Sequence, residues 1–206
     1  VLARKRADTI LESAEKYYKM AFSFTQTYEL LEFYKRNRKF KKALKIAQFK
    51  EKQMPDAADK AAAIIDQALI YQQLGDYKNA STCFDTVLTN YSDMYAKVEM
   101  INIQRQKAAL AIAMHDNDSA IAILNQAATD IAKQDPKLKE EIDIDLCFLL
   151  RDAGQADEAR KKWQQLMLKN VKNVRMQLFA LCADVDANKL ADAEKKYKVL
   201  LNDVTG

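Results

Sequence analysis

The ten residues Gly75-Asp-Tyr-Lys-Asn-Ala80-Ser-Thr-Cys-Phe84 decide the fold of this chain, because their pattern returns along the sequence. An alanine in a similar phrase occurs five times, at Ala43, Ala80, Ala120, Ala159 and Ala193. Successive alanines are separated by 37, 40, 39 and 34 residues. A period of this length is typical of chains that stack one supersecondary unit on the next, so the sequence predicts a helical-repeat solenoid.

The repeat around this stretch, residues 61–94, has the pattern of two helices joined by a turn. Apolar residues at i, i+4 and i+7 from Ile64 to Tyr71 form one face of a first helix. Gly75 suits the left-handed position that ends many helices, and Asp76 is expected to cap the second helix. The turns of the first and last repeats lack glycine, and there we expect an asparagine to take its place, at Asn37 and at Asn188.

Composition agrees with an all-helical chain. The 206 residues include only 3 glycines and 2 prolines, which disfavours sheets with many tight turns, and 49% of the residues are hydrophobic. The three cysteines have no paired spacing, so they do not predict a disulfide framework. No apolar stretch reaches the roughly 18 residues of a membrane span.

These repeats resemble the tetratricopeptide repeat (TPR), a helix–turn–helix unit of about 34 residues. Its pattern has a glycine in the turn, matched here by Gly75 and Gly154, and the alanine that is matched five times. A bulky residue follows the alanine by four positions, and this slot holds Phe84, Leu124, Trp163 and Tyr197, with Ala47 in the first repeat. Because two helices that cross closely need a small side chain at the contact, the alanines are expected to lie between helices.

The resemblance implies an all-α fold, a right-handed α-α superhelix of about five helix pairs preceded by an N-terminal helix. We expect one domain over residues 1–206. The N-terminal helix is expected over 1–22 and the repeats over 24–57, 61–94, 98–132, 137–171 and 174–206.

Catalysis finds little support in the sequence. The single histidine, His115, falls in a predicted turn and is interpreted as a solvated residue. No glycine-rich phosphate loop and no metal-ligand spacing is present. Asp143 and Asp145 are interpreted as part of a charged outer helix face, and Cys147 as a packing residue. The chain is therefore predicted not to be an enzyme and to need no cofactor and no metal.

A concave groove is the favoured binding surface. The resemblance implies that the first helices of the repeats line a groove that accepts a peptide or an amphipathic helix. The slots that would face it hold Tyr28, Glu32, Ile65, Leu69, Arg105, Ala109, Ile144, Phe148, Leu178 and Cys182. The alternatives are that these residues are ordinary core, or that the groove closes on another copy or on another part of the chain. The carboxylate clamp of some family members is not reproduced, since its positions hold Tyr28, Glu32, Asp66, Asn102 and Gln106.

A basic run offers a second surface. No acidic residue occurs between Glu32 and Glu51, and the basic patch within this run consists of Lys35, Arg36, Arg38, Lys39, Lys41 and Lys42. Such a patch suits nucleic acid, an anionic surface or an acidic partner segment. The alternative is a solvated helix pair with Tyr34 and Phe40 in the core. A net charge of +4 over 206 residues disfavours nucleic acid.

We interpret the chain as a protein–protein interaction scaffold, and specifically as the TPR sensor or scaffold portion of a larger bacterial regulatory or signalling protein. The absence of an initiator methionine and the short tail after Leu201 favour that interpretation. A freestanding adaptor is the alternative, and a nucleic-acid or anionic-surface binder ranks below both. The partner is expected to be a protein or peptide in the groove, or a second copy of the chain. The sparse cysteines slightly favour the cytoplasm, with the periplasm as the alternative if a signal was removed.

Overall fold

A computed structural model describes residues 24–168 and 173–205, and every regular element within these ranges is a helix. The predicted N-terminal helix over 1–22 lies outside the described residues. The ten α-helices are α1 (Phe24–Arg36), α2 (Phe40–Gln53), α3 (Ala57–Gln73), α4 (Tyr77–Asn90), α5 (Lys97–Ala113), α6 (Asn117–Ile131), α7 (Pro136–Asp152), α8 (Ala156–Met167), α9 (Val174–Asp186) and α10 (Leu190–Thr205). A 3₁₀ turn over Ser92–Met94 follows α4.

The described helices form five consecutive hairpins in two compact units, the first ending at Tyr95 and the second beginning at Ala96. In the first unit α1 packs on α2, α2 on α3, and α3 on α4. In the second unit α5 to α8 pack in the same sequential manner, α9 contacts α7 and α8, and α10 packs on α9. The predicted all-α class with five helix pairs is thus confirmed over the part of the chain that the structure describes.

The five repeat alanines lie at helix contacts, as the spacing predicts. Their exposed fractions are 0% for Ala43, Ala80 and Ala120, 1% for Ala159 and 6% for Ala193. The bulky residue four positions later is less uniform, because Phe84 and Leu124 are buried but Tyr197 is 54% exposed. Among the described side chains of α10, Ala193 alone is buried. The last repeat therefore keeps the alanine contact without filling the space beside it.

Each hairpin turns on one residue with a left-handed backbone, placed five residues before the repeat alanine. The φ angles are 54° at Arg38, 75° at Gly75, 61° at His115, 78° at Gly154 and 57° at Asn188. The amide of the following residue then bonds back to the last helical turn, as in Asp76 N–H to Tyr71 O at 2.9 Å. This is the Schellman pattern that satisfies the free carbonyls at a helix end.

The turn of the first repeat corrects the sequence prediction. Asn37 was expected to supply the left-handed residue, but the structure places Arg38 there, whereas Asn188 does take that role in the last repeat. Asn37 instead donates its side-chain amide to the carbonyl of Phe33 at 2.8 Å. The predicted helix cap at Asp76 is confirmed, since its carboxylate accepts a hydrogen bond from the backbone N–H of Asn79 at 3.3 Å.

Replacing Arg38 or His115 by glycine is expected to raise the free energy of unfolding by about 0.5–1 kcal/mol. A side chain in the left-handed region destabilises the folded state by roughly 1–2 kcal/mol, and glycine removes this strain. Because glycine also gives the unfolded chain more conformational freedom, the net gain in stability is smaller than the strain removed. Urea unfolding at neutral pH measures the effect. The reverse change, Gly75→Ala, is the control and should destabilise, although a Cβ there would meet no atom within 4 Å. A gain from Gly75→Ala would contradict the conformational argument.

No helix in the described ranges is long and apolar enough to cross a membrane.

Candidate functional site

The second unit carries an open groove of about 700 Å³, which we call the second-unit groove. Its walls come from α5, α6, α7 and α9. The lining residues are Asn102, Arg105, Gln106, Ala108, Ala109, Ile112, Asn117, Leu124, Asp145, Phe148, Leu149, Asp152 and Arg175. The volume falls within the range typical of ligand pockets in proteins, roughly 300–1,000 Å³.

A carboxylate between two guanidinium groups ties three helices together along this groove. Asp145 on α7 accepts Arg105 Nη2 of α5 at 2.9 Å on one oxygen, and Arg175 Nη2 of α9 at 2.6 Å on the other. Arg105 also approaches Glu141 at 3.6 Å. Because both oxygens of Asp145 are occupied, the charged rim of the groove is held in place before any ligand arrives.

The floor of the groove is aromatic. Phe148 meets Phe179 edge-on at 5.4 Å, and the guanidinium carbons of Arg151 and Arg175 lie 5.7 and 5.9 Å from the centre of its ring. Phe179 in turn stacks on Trp163 at 6.1 Å. These contacts fix the Phe148 ring, whose remaining surface faces the groove.

Sequence reasoning placed the α7 residues of this site partly wrongly. Ile144 was predicted to face the groove, but it is 1% exposed and packs in the core with Cys147 and Met176. The groove face of α7 carries Asp145 and Phe148 instead. Ile144 lies one helical turn before Phe148, but it belongs to the same buried cluster as Met176 and Phe179 of α9, which occupy that part of the helix face.

The structure also separates two acidic neighbours that the sequence grouped on one outer face. Asp143 is only 5% exposed, and it pairs with Lys139 and Lys162 rather than with solvent. Asp145 belongs to the groove, where sequence reasoning missed it. The signal that could have found Asp145 is its spacing of three residues from Phe148, which lies on the same helix face.

The structure places the other predicted groove residues of the second unit at different positions. Arg105 and Ala109 line the second-unit groove together with Phe148. Leu178 is 41% exposed on α9 but is not among the lining residues. Cys182 on the same helix is half-buried.

In the first unit one residue predicted for the groove and three residues of the predicted basic patch line the same cavity. Leu69 lines a cavity of about 440 Å³, the first-unit cavity, together with Lys35, Arg36, Arg38, Phe40, Ile70 and Gln73. The other predicted groove residues of this unit lie outside it. Tyr28 is 58% exposed, Ile65 is half-buried, and Glu32 is half-buried beside Lys35.

The residues of the basic patch have different surroundings. Lys35 pairs with Glu32 at 2.7 Å and Asp66 at 3.5 Å. Burial lowers the pKa of Lys35, but these two carboxylates outweigh burial and raise the pKa above its ordinary value. Lys42 Nζ lies 5.7 Å from the ring centre of Tyr34, Lys39 is half-buried, and Lys41 is exposed.

The aromatic residues that interrupt the basic run belong to the core. Tyr34 is fully buried, and Phe40 packs against the cluster that contains it. This confirms the interpretation of both rings as core residues and leaves the cations on the surface of the same helix pair.

The described residues offer little for catalysis. No group of three or more His, Cys, Asp or Glu in them is placed to hold a metal ion. Burial raises the pKa of Cys147 to about 12 and that of Cys83 to about 11, so both thiols are protonated at neutral pH. His115 lies exposed in its turn, as interpreted from the sequence. The absence of enzymatic activity stays a prediction.

Comparison with solved structures identifies the fold. The kinesin-light-chain-type TPR-like repeats of Podosopora anserina match with a TM-score of 0.67 at 16% identity, over 87% of this chain and 93% of that one. The chain has a TPR-like fold. A tetratricopeptide repeat protein from Parabacteroides merdae (TM-score 0.66, 15% identity, 87% and 67% covered) is similar in the same way. BtubC (BKLC) from P. vanneervenii gives a TM-score of 0.69 at 12% identity, over 97% of this chain and 88% of that one.

These likenesses confirm the resemblance seen in the sequence at the level of fold. No protein-family model matches the TPR-like chain, and no curated protein does either. The TM-scores of 0.66–0.69 establish a similar path of the backbone, whereas identities of 12–16% do not establish a shared ligand.

Proposed function

We propose that this TPR-like chain is a protein–protein interaction scaffold whose second-unit groove binds a segment of another protein. The observation that carries the proposal is a preformed open groove with an aromatic floor, Phe148, beneath the Arg105–Asp145–Arg175 chain of ion pairs. The three solved structures have the same fold, which supports a binding role over a catalytic one.

The groove offers both kinds of contact that a peptide needs. Phe148 and the 42% exposed Ile112 present apolar surface for one or two side chains of the partner. Asn102 and Gln106 are exposed one turn apart on α5, and their amides can donate and accept hydrogen bonds. Apolar anchors surrounded by fixed polar groups are typical of sites that bind a defined segment.

Ala109→Glu tests the groove directly. Peptides selected from a displayed random library on the intact protein are expected to bind Ala109→Glu at least about tenfold more weakly, because the new carboxylate would lose water against an apolar contact. The matched control is Ala122→Glu, which places the same change at an exposed alanine of α6 outside the groove lining. Fluorescence anisotropy of the labelled peptides gives both affinities.

Equal binding by Ala109→Glu and the original protein would contradict the assignment of the groove. A loss shared by Ala109→Glu and Ala122→Glu would point to a general effect of charge. Both substitutions replace exposed side chains, so the folded state should be kept, and far-ultraviolet circular dichroism checks this.

Two biological settings are proposed. In the first, the chain is the sensor or scaffold portion of a larger bacterial regulatory or signalling protein. In the alternative, it is a freestanding adaptor. Both use the groove in the same way and differ in what the gene encodes on either side of the segment. Reading the intact open reading frame distinguishes them, since a kinase or DNA-binding domain in the same frame supports the first.

A further inference from the structure

We propose that the first-unit cavity is a second docking site, and that it takes an acidic segment of a protein partner. A partner carboxylate would bind at Arg36 and Arg38, and a neighbouring aliphatic side chain would lie over Leu69. This inference goes beyond the second-unit groove and does not rest on it, because it concerns different helices in the other unit.

The cavity combines an apolar wall with a basic rim. Phe40, Leu69 and Ile70 supply the apolar surface, and Arg36 and Arg38 come from the end of α1 and the turn that follows it. Its volume of about 440 Å³ suits a few side chains rather than a large ligand. An acidic and an aliphatic group side by side would match both surfaces at once.

Among the residues that the structure describes, the charge of this rim is not fully balanced. Lys35 is neutralised by Glu32 and Asp66, and Lys50 also lies 3.4 Å from Asp66. Arg36 and Arg38, by contrast, are exposed and make no ion pair with any described residue. A planar guanidinium group matches the two oxygens of a carboxylate, so two such groups at one cavity favour an acidic ligand.

The backbone at Arg38 gives independent support. Arg38 has φ of 54°, whereas the corresponding turn positions hold glycine twice, one asparagine and one histidine. Asparagine and histidine are enriched in this conformation and arginine is not, so Arg38 is the least favourable choice of the five. A strained residue at the rim of a cavity is a pattern that points to function.

A protein segment fits these observations better than a nucleic acid. Binding along a phosphate backbone uses a row of cations, and its affinity falls steeply with salt. Here two of the three cationic rim residues form no ion pair within residues 24–168 and 173–205, and they lie beside an apolar wall. The whole chain carries a net charge of only +4.

The test uses a fluorescein-labelled peptide with the central sequence Asp-Leu-Glu-Leu-Glu. Arg38→Gly should bind it roughly 2- to 5-fold more weakly, since one exposed charge pair is lost. The same variant should be at least as stable as the original, because glycine relieves the backbone strain. The matched control is His115→Gly, which makes the same backbone change in the second unit and should leave peptide affinity unchanged.

Two further measurements test the apolar wall and the basic rim separately. Leu69→Gln should lower the affinity for the same peptide by a similar factor. A peptide with Asn and Gln in place of its acidic residues should not bind measurably to the original protein. Ala109→Glu should leave the affinity unchanged, so a failure here is distinguishable from a failure of the second-unit groove.

Three outcomes would overturn the proposal. The first is equal affinity of Arg38→Gly and the original protein for the acidic peptide. The second is no binding of that peptide by the original protein. The third is that twenty-nucleotide oligothymidylate or phosphatidylserine vesicles bind through Arg38 while the peptide does not, which would assign the cavity to a different class of ligand.

Discussion

Phe84→Ala is expected to lower the free energy of unfolding by about 3–5 kcal/mol, the usual cost of removing a fully buried aromatic side chain. Phe84 is 0% exposed and lies one helical turn after the buried Ala80. The loss combines the transfer free energy of the ring with the cavity that remains between helices. Urea unfolding followed by far-ultraviolet circular dichroism measures it.

Tyr197→Ala is the matched control for this experiment. Tyr197 occupies the same position of the last repeat, four residues after Ala193, but it is 54% exposed. Its removal is expected to change the free energy of unfolding by no more than about 0.5 kcal/mol. Similar losses for Phe84→Ala and Tyr197→Ala would show that the position in the repeat, and not the burial of the side chain, determines the change in unfolding free energy.

Asp143→Asn is expected to lower the free energy of unfolding by about 2–3 kcal/mol at neutral pH. Asp143 is 5% exposed, and its carboxylate accepts hydrogen bonds from Lys162 Nζ of α8 at 2.8 Å and from the amino group of Lys139. A neutral amide keeps the volume but loses two charge-assisted hydrogen bonds in a buried position. The control is Asp157→Asn, because Asp157 is 89% exposed in its pair with Arg160 and should change stability by less than about 0.5 kcal/mol.

The same carboxylate predicts how stability changes with pH. Burial raises the pKa of Asp143, but the hydrogen bonds and charges of Lys139 and Lys162 outweigh burial and hold the pKa below its ordinary value. A lowered pKa in the folded state means that the contribution is complete above the unfolded pKa of about 3.9 and is lost as pH falls through the folded value.

The difference in unfolding free energy between the original protein and Asp143→Asn should therefore be the same at pH 7 and pH 5. It should shrink as the pH falls below about 4. A difference that stays constant down to pH 2 would contradict the assignment of the effect to this ionised carboxylate.

Sequence reasoning succeeded where one residue type has one physical use. An alanine at a close helix contact and a glycine in a left-handed turn can be recognised in isolation, and Ala80 and Gly75 were both assigned correctly. It was less successful at the groove. Ile144 and Asp145 are adjacent in sequence, and the repeat pattern alone did not establish which of them faces the core.

The ion pairs were beyond prediction for a related reason. Asp145 meets Arg105 and Arg175, which lie 40 and 30 residues away in sequence. Asp143 meets Lys162 from the next helix. The local pattern can place Asp145 on the helix face of Phe148, but it does not identify the cations that pair with either acid, because these partners are defined only when the hairpins stack.

Local periodicity and single residues such as Gly154 were enough to predict the helical hairpins, their number and the places of the turns, although not the left-handed residue of the first turn. Which side chains are buried, paired or exposed depends instead on how the helices pack. This packing buried Asp143, exposed Tyr197 and brought Arg38 to the cavity that Leu69 lines. The reason is that burial and charge pairing are properties of two or more helices together, and their energies depend on distances that no single repeat encodes.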